Sequence, residues 1–253
     1  MKRVRLVVAY DGTNYHGWQI QPNGITIESE VNRCLTDLLG EEIRIIGASR
    51  TDSGVHALGN IAVFDTKARM PAEKVSYALN QRLPDDIRIR KSEEVPRNYH
   101  PRYCKSIKTY HYQIWCSEFP MPTVRLYSHF THYKLDVERM REACQYLIGE
   151  HDFKSFCSKR SQAETTVRTI TDLHIKQENE MITISVSGTG FLYNMIRIIT
   201  GTLMQVGMDM YEPNHVKEIL DAKDRLQAGP VAPANGLTLY SYEFLPTDSQ
   251  YLY

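Results

Sequence analysis

Apolar and polar positions follow a regular order over the first 95 residues of the chain. Runs that alternate or are rich in β-branched residues predict strands at 4–10, 42–48, 60–66 and 86–95. Apolar residues three and four positions apart predict a helix between a Thr26 cap and Gly40, and a second one over 71–83. The resulting order β-α-β-β-α-β is that of a ferredoxin-like fold.

The remainder of the chain repeats this order with additions. The pattern predicts strands at 106–116, 167–177, 181–188 and 237–245, and helices at 136–149, 191–207 and 213–223. We therefore predict an α+β protein of two ferredoxin-like halves, residues 1–105 and 106–253. Two such halves most simply lie side by side as one extended antiparallel sheet, with helices on one face and a cleft on the other.

Composition excludes little. The 253 residues carry 30 basic and 30 acidic side chains, so the net charge indicates no polyanionic partner. A local stripe of basic residues would not show in the net charge. Five widely spaced cysteines without a Cys-x-x-Cys pair argue against a zinc site and against a disulfide framework. The apolar run at the amino terminus is too short for a signal peptide or a membrane span, so we expect a cytoplasmic protein.

Residues 97–111, "RNYHPRYCKSIKTYH", hold several basic side chains and no acidic one. Tyrosines lie between them, including Tyr110. Basic groups neutralise phosphates and aromatic rings stack on unpaired bases, so Lys105 and Lys108 are candidates for contact with RNA. From composition alone, a linker leading into a strand with a basic exposed face is the simpler interpretation.

The predicted helix 191–207 is apolar on nearly all sides, yet it contains Arg197. A buried arginine needs a carboxylate or several acceptors. A structural ion pair with any nearby acid satisfies this need. The more specific hypothesis pairs Arg197 with Asp52, which would hold that carboxylate ionised and oriented.

Asp52 lies in the glycine-rich segment "GASRTDSGVHALGN", residues 47–60. Thr-Asp-Ser-Gly stretches are most often turns in which the aspartate accepts backbone N–H groups, so physics alone favours a structural Asp52 over a catalytic one. For His56 a hydrogen bond that stabilises the loop is the simpler role. "GTGF" at 188–191 has too few glycines for a phosphate loop, and no metal-binding or nucleotide-binding signature stands out.

Several motifs in a fixed order change this assessment. "SRTDSGVHA" (49–57) resembles the active-site loop of the TruA family of tRNA pseudouridine synthases, usually Gly-Arg-Thr-Asp-Ala-Gly-Val-His-Ala. Further segments resemble the same family in the same order, over nearly the whole chain: "YDGTNYHGWQIQP" (10–22), "KTYHYQI" (108–114), "DFKSF" (152–156), "VRTI" (167–170), "FLYNMIRIITGTLMQVG" (191–207) and "APANGLTL" (232–239).

The resemblance implies two RRM-like halves around an active-site cleft, and a role for each candidate residue. Asp52 is then the catalytic nucleophile, and Tyr110 stacks on the flipped uracil. Arg197 pairs with the aspartate, and Arg50 helps to hold the target nucleotide out of its stack. Isomerising uridine transfers no electrons overall, so no cofactor and no metal is expected.

The resemblance also implies a substrate and an assembly. The family modifies uridines at positions 38 to 40 of the tRNA anticodon stem-loop and works as a homodimer. Ser49, Ser53 and the pair Tyr193–Asn194 depart from the usual pattern, which leaves open a paralogue that acts on another tRNA position or on ribosomal RNA. A catalytically inactive RNA-binding module is a second alternative. A hydrolase is a weaker one, because no second acid or base accompanies Asp52.

Overall fold

The protein separates into two compact units. A computed structural model describes residues 1–158 and 163–245. One unit comprises Met1–Ser106 together with the described chain from Leu239 onward, and the other comprises Ile107–Thr238. The predicted division at 105/106 placed the whole carboxyl-terminal stretch in the second half. In the structure the last strand belongs with the amino-terminal unit, and residues 246–253 of the predicted second half lie outside the described residues.

The amino-terminal unit is an antiparallel sheet with two helices. Its strands stand in the order β4-β1-β3-β10, and the short β2 pairs with β3. β1 buries alternate residues, which is the pattern of a strand with one face on the core. The elements are β1 Lys2–Tyr10, α1 Ile27–Leu39, β2 Ile46–Gly47, β3 His56–Thr66, α2 Ala72–Leu79, β4 Ile87–Val95 and β10 Leu237–Phe244.

α1 begins and ends at the predicted residues. The Thr26 hydroxyl accepts from the Ser29 N–H, and the Ser29 hydroxyl accepts in return from the Thr26 N–H, which forms a reciprocal cap. Gly40 ends the helix in the left-handed conformation with φ 69°. Ile27, Val31 and Leu35 form its buried stripe.

The carboxyl-terminal unit contains mostly antiparallel strands in the order β5-β9-β8-β7. A short strand, β6, runs parallel to β5. The apolar helix α4 is buried along most of its length. The elements are β5 Ser106–Cys116, β6 His129–Thr131, α3 Val137–Cys144, β7 Gly149–Asp152, β8 Val167–Glu178, β9 Met181–Gly188, α4 Met195–Gly207 and α5 His215–Ala222.

The strand predicted at 42–48 shrinks to the two residues of β2. Side chains of α1 take the place of a strand partner: the Ile43 N–H donates to Thr36 Oγ1 (3.1 Å), and the Ile45 N–H donates to Asn32 Oδ1 (2.8 Å). Two backbone N–H groups of this segment are therefore satisfied without a strand partner.

The fold class is confirmed as mixed α+β with mostly antiparallel strand pairing. The predicted cleft stays a prediction. Within the described residues, no helix is long and apolar enough to cross a membrane.

Candidate functional site

The segment that joins β2 to β3 carries Asp52 in a tight turn. The Val55 N–H donates to the Asp52 carbonyl (3.1 Å), and Gly54 at the third turn position has φ 77°. A type II turn requires a positive φ at that position, which glycine adopts without strain. The sequence prediction of a turn at Asp52 is therefore confirmed.

The preceding segment, residues 10–18, holds this turn through its backbone. The Trp18 N–H donates to the Thr51 carbonyl (3.0 Å), and the Tyr15 carbonyl accepts from the Gly54 N–H (3.4 Å) and from the Ser53 hydroxyl (3.1 Å). Asp52 is thus flanked on both sides by residues fixed to one neighbouring segment.

Buried side chains fix the turn from beneath. Asn60 Nδ2 donates to the Ser49 carbonyl (3.0 Å) and to the Tyr10 hydroxyl (3.4 Å), which lies 2.7 Å from Thr51 Oγ1. Burial raises the pKa of the Tyr10 phenol, so the hydroxyl keeps its proton and can donate it to Thr51. The buried His56 ring accepts from the Gly12 N–H at Nδ1 (3.0 Å), which confirms the predicted loop-stabilising hydrogen bond.

Exposure alternates along the loop. Ser49 and Thr51 are buried, Asp52 is half-buried, and Arg50 and Ser53 are exposed. The loop therefore turns its hydroxyl groups inward at Ser49 and Thr51, and leaves Arg50 exposed and Asp52 half-buried.

The basic residues of the stretch 97–111 differ in their contacts. Arg102 Nε donates to the Gly47 carbonyl (2.8 Å), and the Arg97 guanidinium donates to the Met1 carbonyl. Lys105 is exposed, and its carbonyl accepts from the Leu245 N–H (3.0 Å). The two arginines thus connect this stretch to the backbone of other segments of the amino-terminal unit.

Tyr110 lies on β5 in the carboxyl-terminal unit. Its side chain is 7% exposed, and the Phe191 ring meets it edge-on with centroids 5.4 Å apart and planes at 86°. Lys108 lies two residues earlier on the same face of β5 and is half-buried. The edge contact from Phe191 favours one orientation of the Tyr110 ring.

Arg197 lies in the first turn of α4. Its Nε donates to the Ala232 carbonyl (2.6 Å) and its Nη1 to Asn194 Oδ1 (2.9 Å). Asn194 is itself oriented by its amide, which donates to Ser158 Oγ (3.0 Å). The predicted Arg197–Asp52 pair stays a prediction.

Asn194 was not predicted as a site residue. The only sequence signal was that Tyr193–Asn194 departs from the family pattern. With φ 60° it also ends the predicted extension of the helix, so that α4 begins at Met195 and not at 191. Asparagine tolerates this left-handed conformation better than most residues do.

The candidate residues divide between the two units. Asp52, Arg50 and Lys105 belong to the amino-terminal unit, whereas Tyr110, Lys108 and Arg197 belong to the carboxyl-terminal unit.

All five cysteines are free thiols. Over residues 1–158 and 163–245, no three His, Cys, Asp or Glu side chains cluster in a way that could hold a metal ion.

Comparison with known proteins gives the family. A family model described as tRNA pseudouridine synthase matches residues 6–104 and 143–244. The chain is 46% identical over 239 residues to tRNA pseudouridine synthase A of Acetivibrio thermocellus, and this match covers 94% of the chain and 98% of the relative. It is 43% identical over 242 residues to the protein of the same name from Brevibacillus brevis, with 95% and 98% covered.

Two further matches complete the comparison. A Clostridium perfringens protein named tRNA pseudouridine synthase A 2 is 46% identical, with 94% of this chain and 98% of the relative covered. An archaeal box H/ACA sRNP Nop10–Cbf5 structure aligns with 92% of this chain and 46% of its own at 11% identity and a TM-score of 0.35, a likeness too slight to support a conclusion. The family match and the three relatives show that the chain belongs to the tRNA pseudouridine synthases, enzymes that isomerise uridine to pseudouridine.

Proposed function

We propose that this enzyme modifies uridines at positions 38 to 40 of the tRNA anticodon stem-loop, with Asp52 as the nucleophile. The three relatives compared above are named as tRNA pseudouridine synthases A, and each match spans nearly the full length of both chains. The loop residues Arg50, Thr51 and Asp52 match the family motif in order. The substrate position rests on that resemblance.

The reaction breaks the bond from C1′ to N1, turns the uracil, and joins C1′ to C5. C5 loses its proton and N1 ends with one, so no electrons are gained or lost. An ionised carboxylate near C1′ can form a covalent adduct, or it can promote loss of the base through a glycal. Asp52 is the residue proposed for this step, and Arg197 is proposed to keep it ionised.

The base must leave its stack before the chemistry, at a cost of a few kcal/mol. Stacking on the Tyr110 ring returns about 1–3 kcal/mol of that cost. Arg50 is proposed to hold the extruded nucleotide, and Lys105 and Lys108 to contact the RNA backbone. The edge contact from Phe191 supports the role of Tyr110, because a ring held in one orientation loses little entropy when a base stacks on it.

One observation carries the proposal most directly. The Asp52 turn is tied through both Thr51 and Gly54 to the 10–18 segment, while Asp52 itself is only half-buried. Preorganised placement of a charged group is what an active site requires.

Release of tritium from transcribed tRNA labelled at uracil C5 tests the proposal. The wild type should release tritium, whereas Asp52→Ala should release none and keep its tRNA affinity within several-fold. Release by Asp52→Ala would remove Asp52 from the chemistry. Binding without release by the wild type would favour the inactive RNA-binding module. Mapping the modified nucleotide then decides between positions 38 to 40 and another tRNA or ribosomal RNA site.

We further propose that the enzyme acts in the cytoplasm as a homodimer, as its family resemblance implies. Sedimentation of the purified chain with and without tRNA tests the assembly. A monomer at all concentrations would contradict it.

A further inference from the structure

Three neighbouring strands of the carboxyl-terminal unit bring two basic side chains to one place. Lys108 on β5 is opposite Gly188 on β9, and Gly188 is opposite Ile170 on β8. Residues opposite each other on antiparallel strands point to the same face. Arg168 lies two residues before Ile170 on β8 and therefore shares that face.

The two cations are close enough to influence each other. The pKa of Lys108 lies below its usual value because burial disfavours the charged form of its side chain, and because Arg168 is near. Burial lowers the pKa of Arg168 as well. Two like charges that have lost part of their hydration repel each other. An anion bound between them offsets both the repulsion and the lost hydration.

The Arg168 guanidinium is fixed on one side only. Its Nη1 donates to the carbonyls of Thr165 (2.9 Å) and Val167 (2.6 Å). Among residues 1–158 and 163–245, no carboxylate forms an ion pair with Arg168, and its Nε and Nη2 make no hydrogen bond. The planar edge formed by Nε and Nη2 of an arginine binds the oxygens of a phosphate well.

The "GTGF" segment connects this pair of cations to Tyr110. The Thr189 N–H donates to the Thr169 carbonyl (3.3 Å), which holds the segment against β8. A Cβ on Gly190 would lie 3.9 Å from both Cδ and Nε of Arg168, so the Gly190 backbone lies close to the Arg168 side chain and places no side chain against it. Phe191 then reaches the Tyr110 ring.

We propose that Arg168, Lys108 and the backbone at Gly190 form a subsite for one phosphodiester of the RNA, next to the nucleotide that Tyr110 stacks on. The proposal rests on the proposed function, since it presumes that RNA reaches Tyr110. In this proposal the "GTGF" segment leaves room beside Arg168 for the phosphate, although it is not a nucleotide-binding loop.

Salt-dependent tRNA binding tests the subsite. Arg168→Gln should lower tRNA affinity about tenfold and reduce the slope of log affinity against log salt by about 0.7–0.9, which is one phosphate contact. Lys176→Gln is the matched control, because Lys176 is on the same strand, exposed and paired with Glu178 (2.6 Å). It should change neither quantity. An unchanged slope in Arg168→Gln would overturn the proposal.

Two further variants separate the subsite from a folding defect. Gly190→Ala adds a methyl group in ordinary contact with Arg168, so it should fold normally and weaken tRNA binding several-fold. Arg168→Lys keeps the charge and should keep the slope while losing affinity. Full tRNA binding by a stably folded Gly190→Ala would count against the subsite.

Neutral methylphosphonates in the substrate identify the phosphate. A single replacement next to the target uridine should weaken binding to the wild type and add no further loss in Arg168→Gln. Additive losses at every position tested would mean that Arg168 contacts none of those phosphates. These readouts measure binding, so they stay interpretable if tritium release fails and the proposed function is wrong.

Discussion

Asn194 Oδ1 accepts a hydrogen bond from Arg197 Nη1 at 2.9 Å, and does so from a left-handed backbone with φ 60°. Orientation of the proposed partner of Asp52 thus depends on a residue at a strained position. Strain of this kind is retained where the surrounding structure depends on it.

Asn194→Ala should lower turnover about tenfold, because the Arg197 guanidinium loses one fixed acceptor. Asn179→Ala is the control, since Asn179 has nearly the same backbone conformation, φ 53°, in the turn between β8 and β9. Both variants should lose about 1 kcal/mol of stability, whereas only Asn194→Ala should lose activity. Equal activity in the two variants, measured by tritium release, would show that the Asn194 contact is dispensable.

Gly17→Ala should damage the Asp52 loop. Gly17 has φ 83°, and an added Cβ would lie 2.5 Å from the Thr51 carbonyl, which is the acceptor that anchors the loop. Gly40→Ala introduces similar backbone strain at φ 69° with nothing within 4 Å. The backbone strain should lower the free energy of unfolding of both variants by about 1–2 kcal/mol. Gly17→Ala should lose about 1–3 kcal/mol more because of the close contact, and it should also lose most of its turnover. Urea unfolding and tritium release check this, and an equally active Gly17→Ala would show that the loop tolerates displacement.

By the family resemblance, the Tyr110 hydroxyl also takes a proton from the sugar during the reaction. Tyr110→Phe should therefore keep tRNA affinity nearly unchanged, because stacking needs only the ring, and should slow single-turnover isomerisation sharply. Phe191→Leu should leave the hydroxyl in place and lower the rate less, since it removes only the edge contact, worth about 0.5–1.5 kcal/mol. A Tyr110→Phe variant with an unaltered rate would leave the tyrosine as a stacking platform alone.

Ser49→Ala should leave the protein as stable or more stable. The Ser49 hydroxyl is buried and has no hydrogen-bond partner among the described residues, a situation that costs about 1–3 kcal/mol. Ser155→Ala makes the contrast, because the buried Ser155 hydroxyl donates to the Ile219 carbonyl at 2.6 Å. That variant should be destabilised by about 1 kcal/mol. If thermal unfolding showed Ser49→Ala to be destabilised as much as Ser155→Ala, the Ser49 hydroxyl would have a hydrogen-bond partner.

Acid should weaken the amino-terminal unit through Asp65. Hydrogen bonds from Arg3 (2.9 and 2.7 Å) hold the pKa of the Asp65 carboxyl below its usual value. The unfolded chain therefore binds the proton more readily, and the stabilisation is complete above the ordinary aspartate pKa of about 3.9 and fades as pH falls through the lower folded value. Asp65→Asn should lose stability at pH 7, and its difference from the wild type should shrink as pH falls below about 3.9. A constant difference between the two in urea unfolding would exclude this linkage.

The sequence predicted elements well where local preference and packing agree. The strands Ser106–Cys116 and Met181–Gly188 begin and end as their alternation indicates, and the Thr26 and Gly40 caps bound α1. The segment 42–48 has a strand-like pattern as well. Two of its backbone N–H groups donate instead to side chains of the preceding helix α1, a contact that the apolar pattern of the segment does not reveal.

The candidate site was only partly predictable for the same reason. The Asp52 turn follows from its Thr-Asp-Ser-Gly sequence, but its anchoring to Tyr15 and Trp18 depends on a fold that brings two loops together. Asn194 contacts Arg197, and Arg168 lies near Lys108, only because the fold brings these residues together. Residue type alone did not distinguish them from ordinary surface residues.

The place of β10 has a consequence for how the protein is made. This strand lies beside β3, and Phe244 packs on Tyr99 with ring centroids 5.8 Å apart. A ribosome that has synthesised the first 106 residues has made the whole Asp52 loop but lacks the strand that covers one edge of its sheet. The unit that carries the proposed nucleophile therefore completes its fold only when translation has passed residue 244, so the nascent chain acquires this active-site support last.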